Sequence, residues 1–540
     1  MKKKLIKYLI WINLFAFSSC KLDGLQTNPN LLTPDQASID YLLNSAEIEF
    51  GTNFFFQATY NTMDLTRLKA MINGADYNNS YVPASFDGVW ASFYSTMLPD
   101  LNTVIGIGSK TGQTVHTGIA RTLKAYTLIT MVDLFGDIPW SQAENPSNFN
   151  PKTDPGSALY DTALATLNRA LTDFGKTATG GYSSDLFYGG STTKWKTFVK
   201  TLQLRLYLQK RLVDANAHSE IQAIVTAGDY IQSSAQDFVF PYFGNSITNP
   251  DTRHPSFVNN YLNGASDYMS NSLMVEMFDY NNKGLGIQDP RIRYYFYRQQ
   301  DTPGTDVNAI ACVGLPPPAH YPAGTAWCQG PGGYWGRDHL NNDGIGPDTK
   351  SRAVWGVFPA GGKFDADQGV PTTITDGNKG NGIWPILTSY SVNFMLAEDA
   401  LVNGDPTSAG TYLQTGVTQS ISKVMNFANV GASKVPTASA VTNYINQVMT
   451  DYNAAGADQM QVIQKENWKA LFGNGLDMYN TYRRTGHPTD MQPARNPTPG
   501  DYYRALIYPA AYITRNANAK QHADNTQVFW DTNPADPWIF

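Results

Sequence analysis

Apolar residues recur at helical spacing through both ends of this chain and lose that spacing in the middle. Tyr160, Ala163, Leu164, Leu167, Leu171 and Phe174 lie three or four apart, with Ser157 as a candidate cap and Gly175 as a stop. Trp195, Phe198, Val199, Leu202 and Leu206 repeat the pattern, with Lys196, Lys200 and Arg205 off that face. Between Ile119 and Phe135 the apolar residues almost encircle the helix axis, which predicts burial on most sides, and Gly136 and Pro139 end the run. Helical spacing returns at Pro385–Asn403, Ser408–Phe427, Ala438–Tyr452 and Gln459–Phe472. The expected fold is therefore mostly α. From Phe240 to about Ile383 the chain is instead rich in Gly, Pro, Asn, Asp and aromatic residues. A connection that long is functional or disordered, and its many rings favour an ordered, ligand-facing insertion. The organisation expected is one body over 35–540: helical over 35–240 and 384–484, loop-rich over 241–383, with loops and short helices over 485–540.

The N-terminus constrains location. Lys2, Lys3, Lys4 and Lys7 form a basic region, Leu5–Phe17 is a nearly unbroken apolar run, and Phe17-Ser18-Ser19-Cys20 closes it. This is the layout of a secretory leader. A cysteine directly after small residues is the pattern of a bacterial lipoprotein, whose thiol is acylated; the competing reading is a plain secretory leader beside a chance cysteine. Residues 1–19 are thus read as a signal peptide, Cys20 as the lipidation site and 20–34 as a tether. Thr33-Pro34-Asp35 reads as the cap and first turn of the opening helix. No later run has the length of a membrane span. The net charge of −6, which becomes −10 without the four leader lysines, argues against nucleic acid as a partner.

Motifs for chemistry are missing. H-E-x-x-H, G-x-S-x-G and C-x-x-C do not occur, and Gly108-Ser109-Lys110-Thr111 lacks the glycine a phosphate loop needs before its lysine. Asp338-His339-Leu340-Asn341-Asn342-Asp343-Gly344 has the oxygen content of a calcium loop without its ligand spacing, so a solvated turn outweighs a structural calcium ion. No metal site and no cofactor are expected. Cys312 and Cys328, close together in an exported chain, read as a loop disulfide.

A set of landmarks then runs in order along the chain: Cys20 and Thr27-Asn28-Pro29-Asn30; Val132-Asp133-Leu134-Phe135-Gly136-Asp137-Ile138-Pro139; Lys194-Trp195 with Leu204-Arg205-Leu206; Gly336-Arg337-Asp338-His339; Gly356 to Gly362; Gly382-Ile383-Trp384-Pro385; Phe394-Met395-Leu396-Ala397-Glu398; Tyr482 to Pro488; and Tyr508-Pro509. Together they resemble the SusD/RagB family of outer-membrane nutrient-binding lipoproteins, in its SusD-like branch. The resemblance implies a scaffold of tetratricopeptide-like (TPR-like) helix pairs. It also implies a lipid anchor at the cell surface, a SusC-like TonB-dependent transporter as partner, and capture of oligosaccharides (in some branches peptides) without catalysis. An exported glycoside hydrolase is the alternative from a different class.

Sugars present apolar C–H faces ringed by hydroxyls, so a site for them needs flat rings and polar rims. Two stretches offer both: Asp76–Tyr81, with Tyr77, Asn79 and Tyr81, and Trp327–Asp338, with Trp327, Tyr334, Trp335 and Arg337 among glycines. For each ring taken singly, packing against its own loop is the favoured alternative. Trp90, Trp195 and Trp468 sit in helical patterns and are assigned to the core. Arg205, Arg483 and Arg484 are expected to brace helix ends or buried carboxylates.

Overall fold

The structure, a computed structural model, describes residues 38–143, 145, 147–244, 251–262, 264, 266–302, 304–343 and 350–534. The leader, Cys20, the tether and the cap expected at Thr33 lie outside the described residues.

The longer helices are labelled here in chain order, and shorter turns are named by their residues. α1 (Ile39–Glu49) runs through a π-helical turn, Phe50–Phe54, into α2 (Phe55–Leu65). The wide turn presents Gly51 to Phe240, and a Cβ at Gly51 would meet that ring at 2.2 Å. α3 (Leu98–Thr111) stops at Gly112, which is left-handed at φ 75°. α4 (Thr114–Phe135) is buried on nearly every side, as its sequence predicts. α5 (Gly156–Phe174) buries Tyr160, Ala163, Leu167 and Phe174, while Leu164 and Leu171 are half-buried. It starts one residue before the expected cap. Ser157 lies inside its first turn, and the Gly156 N–H donates to Asp137 Oδ1 at 2.8 Å, so Asp137 serves the orphan donor instead. α6 (Thr192–Gln209) is capped by Ser191, and α7 (Ala217–Ala227) ends at Gly228, φ 70°. α8 (Asn271–Phe278) stands within the loop-rich stretch. The second helical run comprises α9 (Ser389–Val402), α10 (Pro406–Met425), α11 (Ala438–Ala454), α12 (Gln459–Ala470) and α13 (Gly475–Thr485). Successive helices pack against each other through α3–α7 and α9–α12, and α13 lies on α2. The fold is mostly α, built on TPR-like helix pairs. No described helix is long and apolar enough to cross a membrane.

Three short antiparallel pairs pin the loops: β1 (Ile138–Pro139) with β2 (Thr153–Asp154), β3 (Phe238–Pro241) with β6 (Ile383–Leu387), and β4 (Phe296–Tyr297) with β5 (Val354–Trp355). The β3–β6 ladder, with Phe240 opposite Trp384, brings both ends of the loop-rich segment side by side. It also corrects the helix expected from Pro385. Ile383–Leu387 is a short apolar run that either structure could use, and the helix begins only after Thr388, whose side chain accepts from the Ser391 N–H.

Trp335, Trp355 and Trp384 in this segment are fully buried. The His254 ring lies 4.2 Å from that of Trp384, and burial pushes its pKa down to about 3. Most rings of this segment join the main core with the helices, and smaller clusters form around Phe257 with Tyr261 and around Trp335. Phe238 is part of the junction, stacking on Phe198 at 3.8 Å and on Phe187 at 4.2 Å. Trp90, Trp195 and Trp468 are core residues, as expected.

Buried charges tie the helices together. Asp133, on α4, accepts from Tyr160 Oη, from Asn480 Nδ2 at 2.8 Å and from Trp530 Nε1 at 3.1 Å, with Arg205 Nη2 at 3.6 Å. Arg205 Nε donates to Asp477 Oδ1 at 2.8 Å. Arg483 donates to the carbonyls of Asp133 and Arg504 at 2.7 and 2.6 Å. Glu398, on α9, accepts from Arg484 Nε at 2.6 Å and Nη2 at 2.7 Å, from Arg211 Nε at 2.9 Å and from Gln464 Nε2 at 3.0 Å. The arginines thus brace buried carboxylates and carbonyls. Asp133, Glu398 and Arg484 are each multiply bonded, as burial requires.

Candidate functional site

Most of the ring-bearing residues expected at a ligand site lie inside the protein. Tyr77 is fully buried, its hydroxyl 3.1 Å from His339 Nε2 and 3.3 Å from Arg67 Nη2. Tyr81 is buried edge-on to Phe86 and donates to the Asn61 carbonyl. Tyr334 donates to Asp365 Oδ2 at 3.0 Å, with the Arg298 guanidinium 4.6 Å over its ring. Trp335 packs beside the Cys312–Cys328 cluster. Arg337 is buried, stacks 4.3 Å over Tyr268 and donates to the Asn341 carbonyl at 3.1 Å. These five lie inside the protein and not at a ligand surface, and for Tyr334, Trp335 and Arg337 the cause is shared. The glycines among which Tyr334, Trp335 and Arg337 stand admit protein backbone, not ligand: a Cβ at Gly336 would lie 1.9 Å from the Met269 carbonyl oxygen. With the loop pressed that close, its rings gain more from burial than from exposure.

Asp338–Asn341 is likewise not a solvated turn. Asp338 is fully buried and accepts from Gln492 Nε2 at 2.7 Å, the Cys328 N–H at 3.0 Å and Asn271 Nδ2 at 3.2 Å. Burial nevertheless pushes its pKa up. His339 is held well below the usual histidine range by burial first and by the Arg67 charge second, so it stays neutral. Asp338 therefore works as a clamp joining α8, the disulfide loop and the 490s.

Trp327 and Asn79 remain at the surface. Asn79 is exposed, and its backbone and side-chain N–H groups donate to Asp76 at 2.8 and 2.7 Å. Trp327 is half-buried. Its Nε1 donates to the Leu315 carbonyl at 3.0 Å, and Tyr321 stands edge-on at 6.0 Å. Its neighbour Cys328 is bonded to Cys312, with the Cα atoms 5.7 Å apart. The indole is therefore held by its polar edge and by a covalent crosslink one residue away.

Trp327 lines a cavity of about 360 Å³ with Leu315, Pro316, Pro318 and Leu340. Ala75, Asn342, Asp343, Arg495 and Asn496 complete it. A second cavity of about 720 Å³ shares Asn496 and is lined in part by Asn281, Asn282, Thr325, Asp490 and Gln492. Between the two, His320 Nε2 bonds the Ala494 carbonyl at 2.8 Å and Gln492 Nε2 donates to the Ala326 carbonyl at 2.8 Å, joining the disulfide loop to the 490s. The Tyr77 N–H donates to the Pro499 carbonyl at 2.9 Å, which brings the Asp76–Tyr81 turn to the same region. The two candidate stretches meet here, but through different residues than their aromatic content suggested. The sequence reading weighed Asn342 and Asp343 only as part of a calcium-like turn and passed over Arg495 and Asn496. Their only local signal is polar turn composition, and tertiary contact alone collects them around Trp327.

The arrangement suits binding. An apolar floor with one indole and an amide-rich rim matches a sugar's faces and edges. The carboxylates of the lining are committed to cations: Asp343 pairs with Arg495, and Lys465 Nζ sits 2.5 Å from Glu276 and 2.9 Å from Asp490. Among the described residues no group of three His, Cys, Asp or Glu comes together to hold a metal ion.

A family model described as SusD-like, "starch-binding associating with outer membrane", matches residues 25–319 and 363–509. Among solved structures, a SusD/RagB family protein from Bacteroides thetaiotaomicron is 17% identical with a TM-score of 0.66, the match covering 92% of this chain and 100% of that one. A chitin-binding SusD homolog from Flavobacterium johnsoniae is 17% identical with a TM-score of 0.65, covering 92% and 99%. A SusD homolog from Bacteroides fragilis is 18% identical with a TM-score of 0.63, covering 89% and 94%. At these identities the likeness is one of fold. No curated protein sequence matches the chain. Residues 320–362, which carry Trp327 and Asp343, fall between the two matched segments.

Proposed function

Since the chain belongs to the SusD-like family, we propose that it is a cell-surface lipoprotein that captures oligosaccharides and delivers them, unaltered, to a TonB-dependent outer-membrane transporter. The observation that carries the glycan reading is the Trp327 cavity, where a braced indole faces an amide-rich rim. The family description and the chitin-binding relative support the same ligand class. The absence of catalysis is supported by the pairing of the lining carboxylates, since a glycosidase needs one carboxyl held ready to give up a proton. Anchoring rests on Cys20 and the leader before it, and the transporter partner on the family.

The direct test is affinity electrophoresis and calorimetry of the purified protein on starch- and chitin-derived oligosaccharides. Trp327→Ala should weaken binding by about tenfold or more, the effect of losing one stacked ring, about 1.4 kcal/mol or somewhat above. Undiminished affinity in the variant would remove Trp327 from the site. Release of shortened sugars would turn the reading to a hydrolase, and retention of peptides alone would turn it to peptide uptake. Separately, Cys20→Ser should move the protein from the membrane fraction to the soluble one, and a variant that still sediments with membranes would place the anchor elsewhere.

A further inference from the structure

The Trp327 cavity contains one cation with a solvent-facing guanidinium, Arg495, and that cation is already engaged. Asp343 closes an ion pair on it, Asn341 Oδ1 accepts from its Nη1 at 3.2 Å, and its backbone N–H donates to the His339 carbonyl at 2.9 Å. The two side chains retain 30% and 46% of their exposure, so a ligand in the cavity reaches both. Beside the adjoining cavity, Lys465 is enclosed between two of its lining residues, Glu276 and Asp490. Among the described lining residues no cation is therefore left for an anion, and Asp343 and Asp490 stay partly exposed. Arg495 falls within the second segment matched by the family model, whereas Asp343 comes from the stretch between the segments. The group that neutralises the arginine thus comes from the stretch between the two matched segments.

We propose that Asp343 sets the charge class of the ligand: by holding Arg495 in a closed pair it makes the cavity accept uncharged glycans and turn away those bearing carboxylate or sulfate. The inference rests on the glycan reading above and specifies it. At this exposure the pair itself adds little to stability. Its effect is on recognition. A uronate approaching Arg495 meets the Asp343 carboxylate at contact distance, and like-charge juxtaposition counts against binding. Without Asp343, the same guanidinium offers a carboxylate a charge-assisted, two-pronged bond.

Calorimetry with maltohexaose, chitohexaose and hexagalacturonate tests this. The wild type should bind at least one neutral probe about tenfold or more tighter than hexagalacturonate. Asp343→Asn should lower that ratio about tenfold through a gain on the acidic probe, and the double variant Asp343→Asn/Arg495→Ala should lose the gain. A bound neutral probe with a ratio unmoved by Asp343→Asn, or a wild type that prefers hexagalacturonate, overturns the inference and leaves the glycan reading standing. Failure of all three probes to bind any of these proteins overturns both.

Discussion

Replacing Glu398 by alanine should destabilise the fold by about 3–5 kcal/mol at neutral pH, the effect of stripping a buried ion pair of one partner. Arg484 and Arg211 approach this carboxylate from α13 and from the turn after α6, and Gln464 reaches it from α12. Removing it leaves Arg484, almost fully buried, without its carboxylate. The deficit should depend on pH in a defined direction. Burial opposes ionisation of Glu398, but Arg484 and Arg211 outweigh it and hold its pKa at about 2 against a usual 4.5. A carboxyl depressed in the folded state stabilises above its unfolded pKa and ceases to do so as pH falls toward the folded one. The shift corresponds to about 3 kcal/mol, roughly three-fifths of it gone by pH 3. Asp64, raised to about 6 chiefly by burial, works in the opposite sense over higher pH. The quantity to follow is therefore the wild-type minus variant difference in denaturant melts from pH 7 to pH 3. A difference that stays constant over that range would show that Glu398 is not the charged brace described.

The second large effect is expected at the disulfide. Cys312 and Cys328 close a loop with a sequence separation of 16, for which crosslinking contributes about 3 kcal/mol to ordering. Nothing in the Asp133 or Glu398 networks passes through this loop. Cys312→Ser/Cys328→Ser should therefore retain the wild-type helical circular dichroism while hydrogen exchange over 306–328 rises by up to about a hundredfold. Glycan affinity should fall at least as far as in Trp327→Ala, because the indole would keep only its bond to Leu315 and its contact with Tyr321. Unchanged exchange over the loop would mean that the bonds of Asp338, Gln492 and His320 suffice to fix it, and would reduce the crosslink to a redundant tie.

The helical scaffold was legible in the sequence because each long helix carries its own periodicity. α4 announces its burial through the apolar residues from Ile119 to Phe135, and α5 and α6 through stripes that the structure buries as spaced. The arginine pattern was legible too, since Arg205, Arg483 and Arg484 stand in helical stretches where a guanidinium serves as a brace. The site was not. Whether a ring in a glycine-rich loop faces out or in depends on what the loop lies against. Gly336 against Met269 is a contact between residues distant in sequence, and it turns Trp335 inward. The Arg495–Asp343 pair is hidden for the same reason, as neither residue carries a local signal of the other. Pro385 misled differently: a strand of five residues and the helix after it merge into one apolar stretch unless Thr388 is recognised as the cap.

The bond from Trp530 Nε1 to Asp133 Oδ1 bears on the order in which this chain can be completed. The two residues are 397 positions apart, so the carboxylate emerges during synthesis long before its last donor exists. Arg504 with Asp531, and Asn533 with the carbonyls of Arg483 and Arg484, close over the same region in the final stretch. A nascent or truncated chain lacking these residues leaves Asp133 with Tyr160, Asn480 and Arg205 but without its Trp530 donor, and a lost hydrogen bond to a buried carboxylate is costly. Contacts of such sequence separation also form slowly. The C-terminal segment thus closes last over a carboxylate at the centre of the fold, and a chain cut off before residue 530 lacks that final bond.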